Sequence, residues 1–264
     1  MQMKVWLQAD QQQQAEPWLQ QLVQLGVQPE PDVTEQVNAR HLRLHPDLAL
    51  VYDQDGLSLA ANGMKMQPDW VGQLARLKRA SKKNELIARA CHIGEATRIL
   101  DCTAGLGHDA LLLAWLGAEV HLIERHPVLF SLLSASRQQA LQHPVLSAVA
   151  GRMQLIHADS LQYLQQLQPG QFDVVYLDPM FPKPATPDKK QAQVKKDMQI
   201  LHQLFSDNAI MDLGEALLPY ARQIAPRVVV KRPRHAQFLA NDEPQHQWLG
   251  DACRFDAYFQ VLPG

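Results

Sequence analysis

The chain has 264 residues, 46% of them hydrophobic, which is enough for one large core with an appendage. Its net charge of −2 argues against a protein that coats nucleic acid non-specifically, because such binding needs many lysine and arginine contacts to phosphate. A local basic face is still compatible with this charge. The cysteines, Cys91, Cys102 and Cys253, lie far apart without a C-x-x-C pair, so we expect buried thiols and no metal site.

The first 94 residues differ in texture from the remainder. Residues 1–65 are rich in glutamine, and their short apolar alternations predict a small α+β appendage. Residues 66–94 contain a basic tract between Arg76 and Lys83 and then a predicted helix over 84–92. The N-terminus lacks the apolar stretch of a signal peptide, and the longest apolar run, residues 110–117, is too short to cross a bilayer. We therefore expect a cytoplasmic protein that does not bind membranes.

From residue 95 to residue 264, short apolar runs alternate with helical patterns. The predicted strands are 97–101, 119–123, 153–157, 172–177, 227–231 and a final strand or hairpin within 247–262. The predicted helices are 109–115, one from about 127, 160–167, and stretches around 189–205 and 211–223. This alternation predicts an α/β domain with a mostly parallel sheet, whose ligands bind at the carboxyl ends of the strands.

A glycine turn follows the first of these strands, within the segment from Asp101 to Asp109. Gly105 and Gly107 permit positive φ and let a ligand approach the backbone, and the following helix start favours negative charge. Glu124 ends the next strand, where a carboxylate accepts hydrogen bonds from ribose hydroxyls. The alternatives are a tight strand-to-helix connection and a surface pair with Arg125. Together, the turn and Glu124 favour a cofactor that contains adenosine.

The choice of cofactor depends on Asp101. A carboxylate four residues before Gly105 suits the cationic sulfonium and amino groups of S-adenosylmethionine and would repel a pyrophosphate. Ala110 stands at the third glycine position of the dinucleotide motif, which does not exclude NAD by itself. Asp159 and Ser160 follow the third strand, where an adenine ring would lie, although Asp159 is equally suited to cap the next helix.

The segment Asp178-Pro179-Met180-Phe181-Pro182 follows the fourth strand and carries the strongest signal. It matches the D/N-P-P-Y/F motif of enzymes that methylate planar exocyclic amines. The carboxylate of Asp178 and the carbonyl of Pro179 can each accept an N–H bond from such an amine, and Phe181 can stack on its base. The alternative is an ordinary β-turn followed by a core phenylalanine.

Basic residues follow the two loops that should flank this motif. Lys183 comes after the motif, and Lys231 and Arg232 come after the valine-rich strand, with Arg234 close behind. A positive rim around a base pocket would bind phosphates despite the acidic total charge. We therefore expect Lys183, Lys231 and Arg232 to bind RNA, with solvated helix faces as the alternative for the lysines between 189 and 196.

These blocks resemble the RsmJ family of small-subunit ribosomal RNA guanine-N2 methyltransferases. The resemblance spans residues 84–260 and is most specific at residues 176–182 and 228–233. It implies a Rossmann-like class I methyltransferase fold with a mostly parallel seven-stranded sheet, S-adenosylmethionine as the methyl donor, and 16S ribosomal RNA in the small subunit as the partner. It also implies a set of cofactor contacts, namely His108, Asp109, Glu124, Arg125, Asp159, Ser160 and Asp178.

Four alternatives remain open at the level of the sequence. Adenine N6 and a protein glutamine amide are also planar amines and could occupy the same motif. A nicotinamide-dependent oxidoreductase could use the glycine turn, and an RNA-binding module without activity could keep the fold. The sequence does not predict an oligomeric state or which guanine is modified.

Overall fold

The computed structural model describes residues 1–179, 192–205 and 214–261. The strands in chain order are β1 (Gln2–Gln8), β2 (Gln28–Thr34), β3 (Ala49–Asp53), β4 (Gly56–Ala61), β5 (Met64–Met66), β6 (Arg98–Asp101), β7 (Glu119–Glu124), β8 (Met153–His157), β9 (Val174–Leu177), β10 (Arg227–Pro233), β11 (His246–Leu249) and β12 (Cys253–Phe259). The α-helices are α1 (Gln12–Gln24), α2 (Ala39–Leu44), α3 (Leu74–Leu77), α4 (Leu86–Cys91), α5 (His108–Trp115), α6 (Pro127–Gln142), α7 (Ser147–Gly151), α8 (Ser160–Leu164), α9 (Ala192–Phe205) and α10 (Leu217–Ile224). These elements form two compact units.

The first unit contains a five-stranded sheet in the order β2-β1-β3-β4-β5. The strands β2, β1 and β3 are parallel, and β3, β4 and β5 form an antiparallel meander. This sheet and its helices confirm the α+β appendage that the sequence predicts. Within the unit, α9 contacts β4 and β5. The sequence instead places this helix in the domain from residue 95. The difference arises because an apolar stripe on a helix does not reveal which sheet it will pack against.

The second unit, residues 69–179 and 214–261, contains a seven-stranded sheet in the order β11-β12-β10-β9-β6-β7-β8. The five strands from β10 to β8 are parallel, and β12 and β11 continue the sheet as an antiparallel hairpin. The fold class is therefore confirmed, including the mostly parallel sheet and the terminal hairpin. The sequence does not predict helix α7, because its five residues are too few to show a helical period.

Apolar side chains cover both faces of this sheet. Ile99 lies in a core cluster on one face, and its neighbour Leu100 lies in a cluster on the other. Successive strand residues point to opposite faces, so a strand buried on both faces reads as a continuous apolar run. In the described ranges no helix has both the length and the apolarity that crossing a bilayer requires.

Candidate active site

The parallel strands bring their carboxyl ends to one edge of the sheet. Asp101 ends β6, Glu124 ends β7, and Asp178 comes directly after β9. Lys231 lies near the end of β10, which pairs in parallel with β9. Because parallel strands share one edge for their carboxyl ends, the predicted site residues lie where such folds bind ligands.

The turn between β6 and α5 depends on two glycines with positive φ, +53° at Gly105 and +71° at Gly107. A Cβ on Gly107 would lie 2.8 Å from Leu133 Cδ2 and 3.0 Å from the Trp70 ring, so a larger residue there would force these side chains to move. At Gly105 the nearest atom to such a Cβ would be 3.8 Å away, which leaves the backbone open to a ligand. The buried Trp70 also donates from Nε1 to the carbonyl of Leu106, at 3.1 Å.

Glu124 is joined to this turn by its carboxylate. Oε2 accepts the N–H of Gly105 at 3.1 Å, and Oε1 accepts the N–H of His126 at 2.7 Å. Burial raises the pKa of Glu124 to about 7, although these two N–H groups favour the anion. A carboxylate has about four acceptor positions. Glu124 therefore keeps the capacity to accept ribose hydroxyls while it holds the turn.

Asp101 lies beneath the turn and is 2% exposed. Its Oδ1 accepts the backbone N–H of Thr103 at 2.9 Å and the Thr103 hydroxyl at 3.3 Å. Burial, together with the charges of Asp109 and Asp178, raises the pKa of Asp101 to about 7. The Thr103 hydroxyl oxygen in turn accepts the N–H of Asp178 at 2.6 Å. Thr103 thus links the predicted cofactor carboxylate to the predicted catalytic loop.

Lys231 joins two of the predicted site carboxylates. Its Nζ lies 2.6 Å from Asp109 Oδ2 and 2.9 Å from Asp178 Oδ2. The Tyr176 hydroxyl donates to the same oxygen of Asp109, at 2.7 Å. Burial would lower the pKa of Lys231, but the two carboxylates raise it above its ordinary value. Burial raises the pKa of Asp178 to about 6, while the Lys231 ammonium opposes this and Asp109 adds to it.

At the end of β8, Asp159 caps α8, because its Oδ1 accepts the N–H of Gln162 at 3.0 Å. Its other oxygen lies 3.7 Å from the Arg125 guanidinium. Ser160 donates its hydroxyl to the carbonyl of Cys102 at 2.6 Å, which ties α8 to the glycine turn. The capping alternative is therefore realised, and a contact to adenine stays a prediction.

The remaining predicted residues have varied positions. His108 begins α5, and Pro179 is buried. Arg232 is also buried and donates from Nε to the carbonyl of Gln237 at 2.9 Å. The phosphate contacts of Lys231 and Arg232 stay predictions, and both side chains have partners inside the protein. Phe181 and Lys183 lie outside the described residues.

Sequence reasoning missed several residues that shape the site. Trp70, Thr103 and Tyr176 act through contacts between distant segments, and no local pattern marks them. Gly214 is another: a Cβ there would lie 2.7 Å from Pro179 Cβ, and its φ is +71°. A glycine just before the helical pattern of α10 is the only hint that the chain offers. Because Gly214 has no side chain, the backbone at this position can pack closely against Pro179.

Comparison with known proteins identifies the class of enzyme. Residues 32–260 match the sequence model of a family described as "Putative SAM-dependent methyltransferase". A SAM-dependent methyltransferase from Neisseria gonorrhoeae of known structure is 29% identical to the chain. It superposes with a TM-score of 0.69, over 97% of this chain and 96% of that one. The fold and the site thus define an S-adenosylmethionine-dependent methyltransferase.

Curated relatives narrow this class. Ribosomal RNA small subunit methyltransferase J from Acinetobacter baumannii is 57% identical over 98% of this chain and 94% of its own length. The protein of the same name from Acinetobacter baylyi is 57% identical over 94% of this chain and 94% of its own length. That from Alkalilimnicola ehrlichii is 43% identical over 81% of this chain and 83% of its own length. The chain belongs to the ribosomal RNA small subunit methyltransferase J family, which confirms the resemblance.

The residues of the turn fit the cofactor of this family. Open space beside Gly105 admits a ligand to the backbone, and Glu124 has acceptor capacity for a ribose. Two further carboxylates, Asp101 and Asp178, belong to the same edge of the sheet and suit a cationic methyl donor. An anionic dinucleotide would meet repulsion from them, which argues against the oxidoreductase alternative.

Proposed function

We propose that this protein methylates the exocyclic N2 of a guanine in 16S ribosomal RNA of the small ribosomal subunit, in the cytoplasm. The observation that carries this proposal is the placement of Asp178 and Pro179 directly after β9, at the edge that holds the glycine turn and Glu124. The names of the relatives support ribosomal RNA of the small subunit as the substrate. The choice of guanine N2 follows from the resemblance to the RsmJ family, because the motif alone would accept any planar exocyclic amine.

Cofactor binding is assigned to the glycine turn and the strand ends around it. In this proposal, Glu124 accepts the ribose hydroxyls, and Asp101 lies on the side of the amino and sulfonium groups. The other contacts are assigned to His108, Asp109, Arg125, Asp159, Ser160 and Asp178. When bound, S-adenosylmethionine supplies a methyl group activated by its positive sulfur.

Asp178 and Pro179 orient the nucleophile. The lone pair of an aryl amine is delocalised into its ring, so the amine attacks only when it is held in the correct direction. The carboxylate of Asp178 and the carbonyl of Pro179 each accept one amine N–H, and the lone pair then points out of the base plane. As the N–C bond forms, the bond from the methyl carbon to the sulfur would break and leave S-adenosylhomocysteine. The cationic nitrogen would then release a proton, which Asp178 or water can accept.

Two contacts hold the Asp178 carboxylate in place. The backbone N–H of Asp178 donates to the Thr103 hydroxyl, and the Lys231 ammonium donates to the carboxylate itself. Lys231 is therefore assigned as a positioning residue. Phe181 is proposed to stack on the guanine, which is turned out of its helix into the site.

The proposal is tested by nucleoside analysis. Deproteinised small-subunit RNA is incubated with the protein and a labelled methyl donor, digested, and separated by chromatography. We expect label in N2-methylguanosine. Label in N6-methyladenosine, or transfer only to protein, would overturn the assignment of the substrate.

A variant tests the role of Asp178. Asp178→Asn removes one acceptor from the amine and is expected to lower kcat by about a hundredfold or more. Its Kd for S-adenosylhomocysteine, measured by titration calorimetry, should stay within about tenfold of the unmodified protein. Loss of all cofactor binding would instead place Asp178 in the cofactor site alone.

A further inference from the structure

An open cavity lies at the carboxyl end of β10, outside the site described above. Its volume is about 470 Å³, within the range of pockets that bind small ligands. It begins at Arg234, the first residue after β10, and the β11–β12 hairpin forms one of its sides. Its lining residues are Arg234, His235, Ala236, Gln237, Phe238, Asn241, Gln247, Leu249 and Arg254.

Two buried arginines hold the walls of this cavity in place. The Arg254 side chain is 5% exposed and donates to the carbonyls of Pro233 and Arg234, at 3.3 and 2.8 Å. Arg232 donates to the carbonyl of Gln237 from below the same loop. The loop that lines the cavity is therefore fixed by hydrogen bonds before any ligand arrives, which lowers the entropy cost of binding.

The hydrogen-bond donors that a ligand can reach lie at the rim of the cavity. Arg254 donates from Nε to both oxygens of Asp256, which is fully buried and also accepts from Gln247. This ion pair neutralises the charge of Arg254, and its Nη2 is buried, so Arg254 supports the wall of the cavity. Arg234 and His235 are exposed at the rim, and Arg234 donates from Nη1 to the carbonyl of Gly250 at 2.9 Å. Arg234 therefore brings a cation to the cavity that no carboxylate neutralises within the described part of the chain.

The same cavity offers apolar surface and amide groups. The Phe238 ring centroid lies 5.0 Å from the Arg254 guanidinium, and Leu249 is 57% exposed. The amides of Gln237, Asn241 and Gln247 can each both donate and accept. Cations beside an aromatic ring and side-chain amides match a nucleotide, which has a phosphate, a flat base and polar base edges.

The position of the cavity relates it to the methylation site. Arg234 follows Lys231 by three residues, which separates their Cα atoms by about 10 Å along an extended chain. One or two nucleotides of an extended RNA strand span such a distance. Single-stranded RNA is recognised through splayed bases that stack on aromatic and arginine side chains.

We propose that this cavity binds one nucleotide of the ribosomal RNA close to the modified guanine, with Arg234 and His235 facing its phosphate and Phe238 against its base. The inference rests on the proposed function for the identity of the RNA. It assigns to the cavity a role in substrate affinity and in the choice of guanine, separate from the orientation of the amine by Asp178.

The test compares two substitutions that remove the same charge. Arg234→Ala removes a cation from the cavity. Arg89→Ala removes an exposed cation next to Ala90, whose carbonyl accepts from Arg227 at the opposite end of β10. The affinity for deproteinised small-subunit RNA is measured by filter binding over a range of salt concentrations. The Kd for S-adenosylhomocysteine is measured as a check on the fold.

We expect Arg234→Ala to weaken RNA binding roughly five- to tenfold and to reduce the salt slope by about one. Arg89→Ala should remain within about twofold of the unmodified protein, and neither variant should change cofactor affinity. Phe238→Leu keeps an apolar side chain but loses the ring, and should weaken RNA binding with less change in the salt slope.

Equal RNA affinities and salt slopes for Arg234→Ala and Arg89→Ala would overturn the proposal, as would an equal loss of cofactor affinity. This outcome is distinguishable from failure of the proposed function. If the unmodified protein transfers no methyl group to this RNA, the proposed function falls, while the binding comparison still decides the role of the cavity.

Discussion

Lys231 determines the pH range in which Asp178 carries its charge. Burial and the neighbouring Asp109 favour the protonated form of Asp178, whereas the ammonium 2.9 Å away favours the anion. With a pKa of about 6, Asp178 is largely ionised at neutral pH. The ionised carboxylate acts only as an acceptor, whereas the protonated acid carries an O–H donor and is a weaker acceptor for the amine N–H. Activity is therefore expected above this pKa and should fall as the pH drops through it.

Replacement of Lys231 by methionine should move this acidic limb to higher pH. The carboxylate would lose its nearest cation and keep its burial, so the pKa of Asp178 should rise by about one to three units. The measurement is kcat/KM between about pH 5 and pH 9. Lys231→Arg keeps a positive charge and should leave the limb nearer its original pH. An unchanged limb in Lys231→Met would show that another group controls the profile.

The glycine turn matters as an element because it starts α5 and presents its backbone to the cofactor. Gly107 combines positive φ with close packing, whereas Gly170 has a similar φ of +81° and open space where a Cβ would lie. The two positions separate backbone strain from steric overlap. Both alanine variants carry strain in the left-handed region, but only one collides with Leu133 and Trp70.

We expect Gly107→Ala to lower the free energy of unfolding by about 1–3 kcal/mol more than Gly170→Ala does. The difference reflects the overpacked contact, because the strain is shared. Urea unfolding of the two variants, followed by circular dichroism, measures it. Equal losses of stability would mean that the Leu133 and Trp70 side chains relax without cost.

At the scale of helices and strands, the sequence predicts a large part of the structure. Apolar runs and glycine turns are local signals, so the strands from β6 to β10 and the residues at their ends could be placed before any coordinates. The contacts of Tyr176 with Asp109 and of Thr103 with Asp178 join segments 67 and 75 residues apart. Such pairs depend on how the strands are ordered, and a single sequence does not encode this order in any local pattern.

Lys231 illustrates the same limit within the site. A lysine after a valine-rich strand suggests a phosphate contact, because its charge is visible and its neighbours are not. In the structure, two carboxylates from other strands and helices surround its ammonium group. The position of Lys231 therefore followed from the sequence, its two carboxylate partners did not, and its phosphate contact stays a prediction.

At the scale of the whole molecule, the first unit draws on two separate parts of the chain. Helix α9 follows most of the large sheet in sequence but contacts β4 and β5. Three of its apolar side chains, Ile200, Leu201 and Leu204, are at most 9% exposed. Removal of residues 1–68 would uncover apolar surface on this helix.

We expect a truncated protein that begins at residue 69 to aggregate. The exposed stripe of α9 would provide a new hydrophobic patch, which promotes association. Light scattering and size-exclusion chromatography measure the outcome. The same truncation with Ile200, Leu201 and Leu204 replaced by glutamine should aggregate less. A monomeric truncation that lacks these replacements would contradict the expectation.

This discontinuous unit has a consequence for synthesis, which proceeds from the N-terminus. The ribosome delivers β1 to β5 early, but α9 leaves the exit tunnel only after β6 to β9 have been made. Until then β4 and β5 lack their contacts with α9, although the earlier helix α2 already contacts β5. The nascent chain therefore completes its first-made unit late, and its two units mature in an interleaved order rather than one after the other.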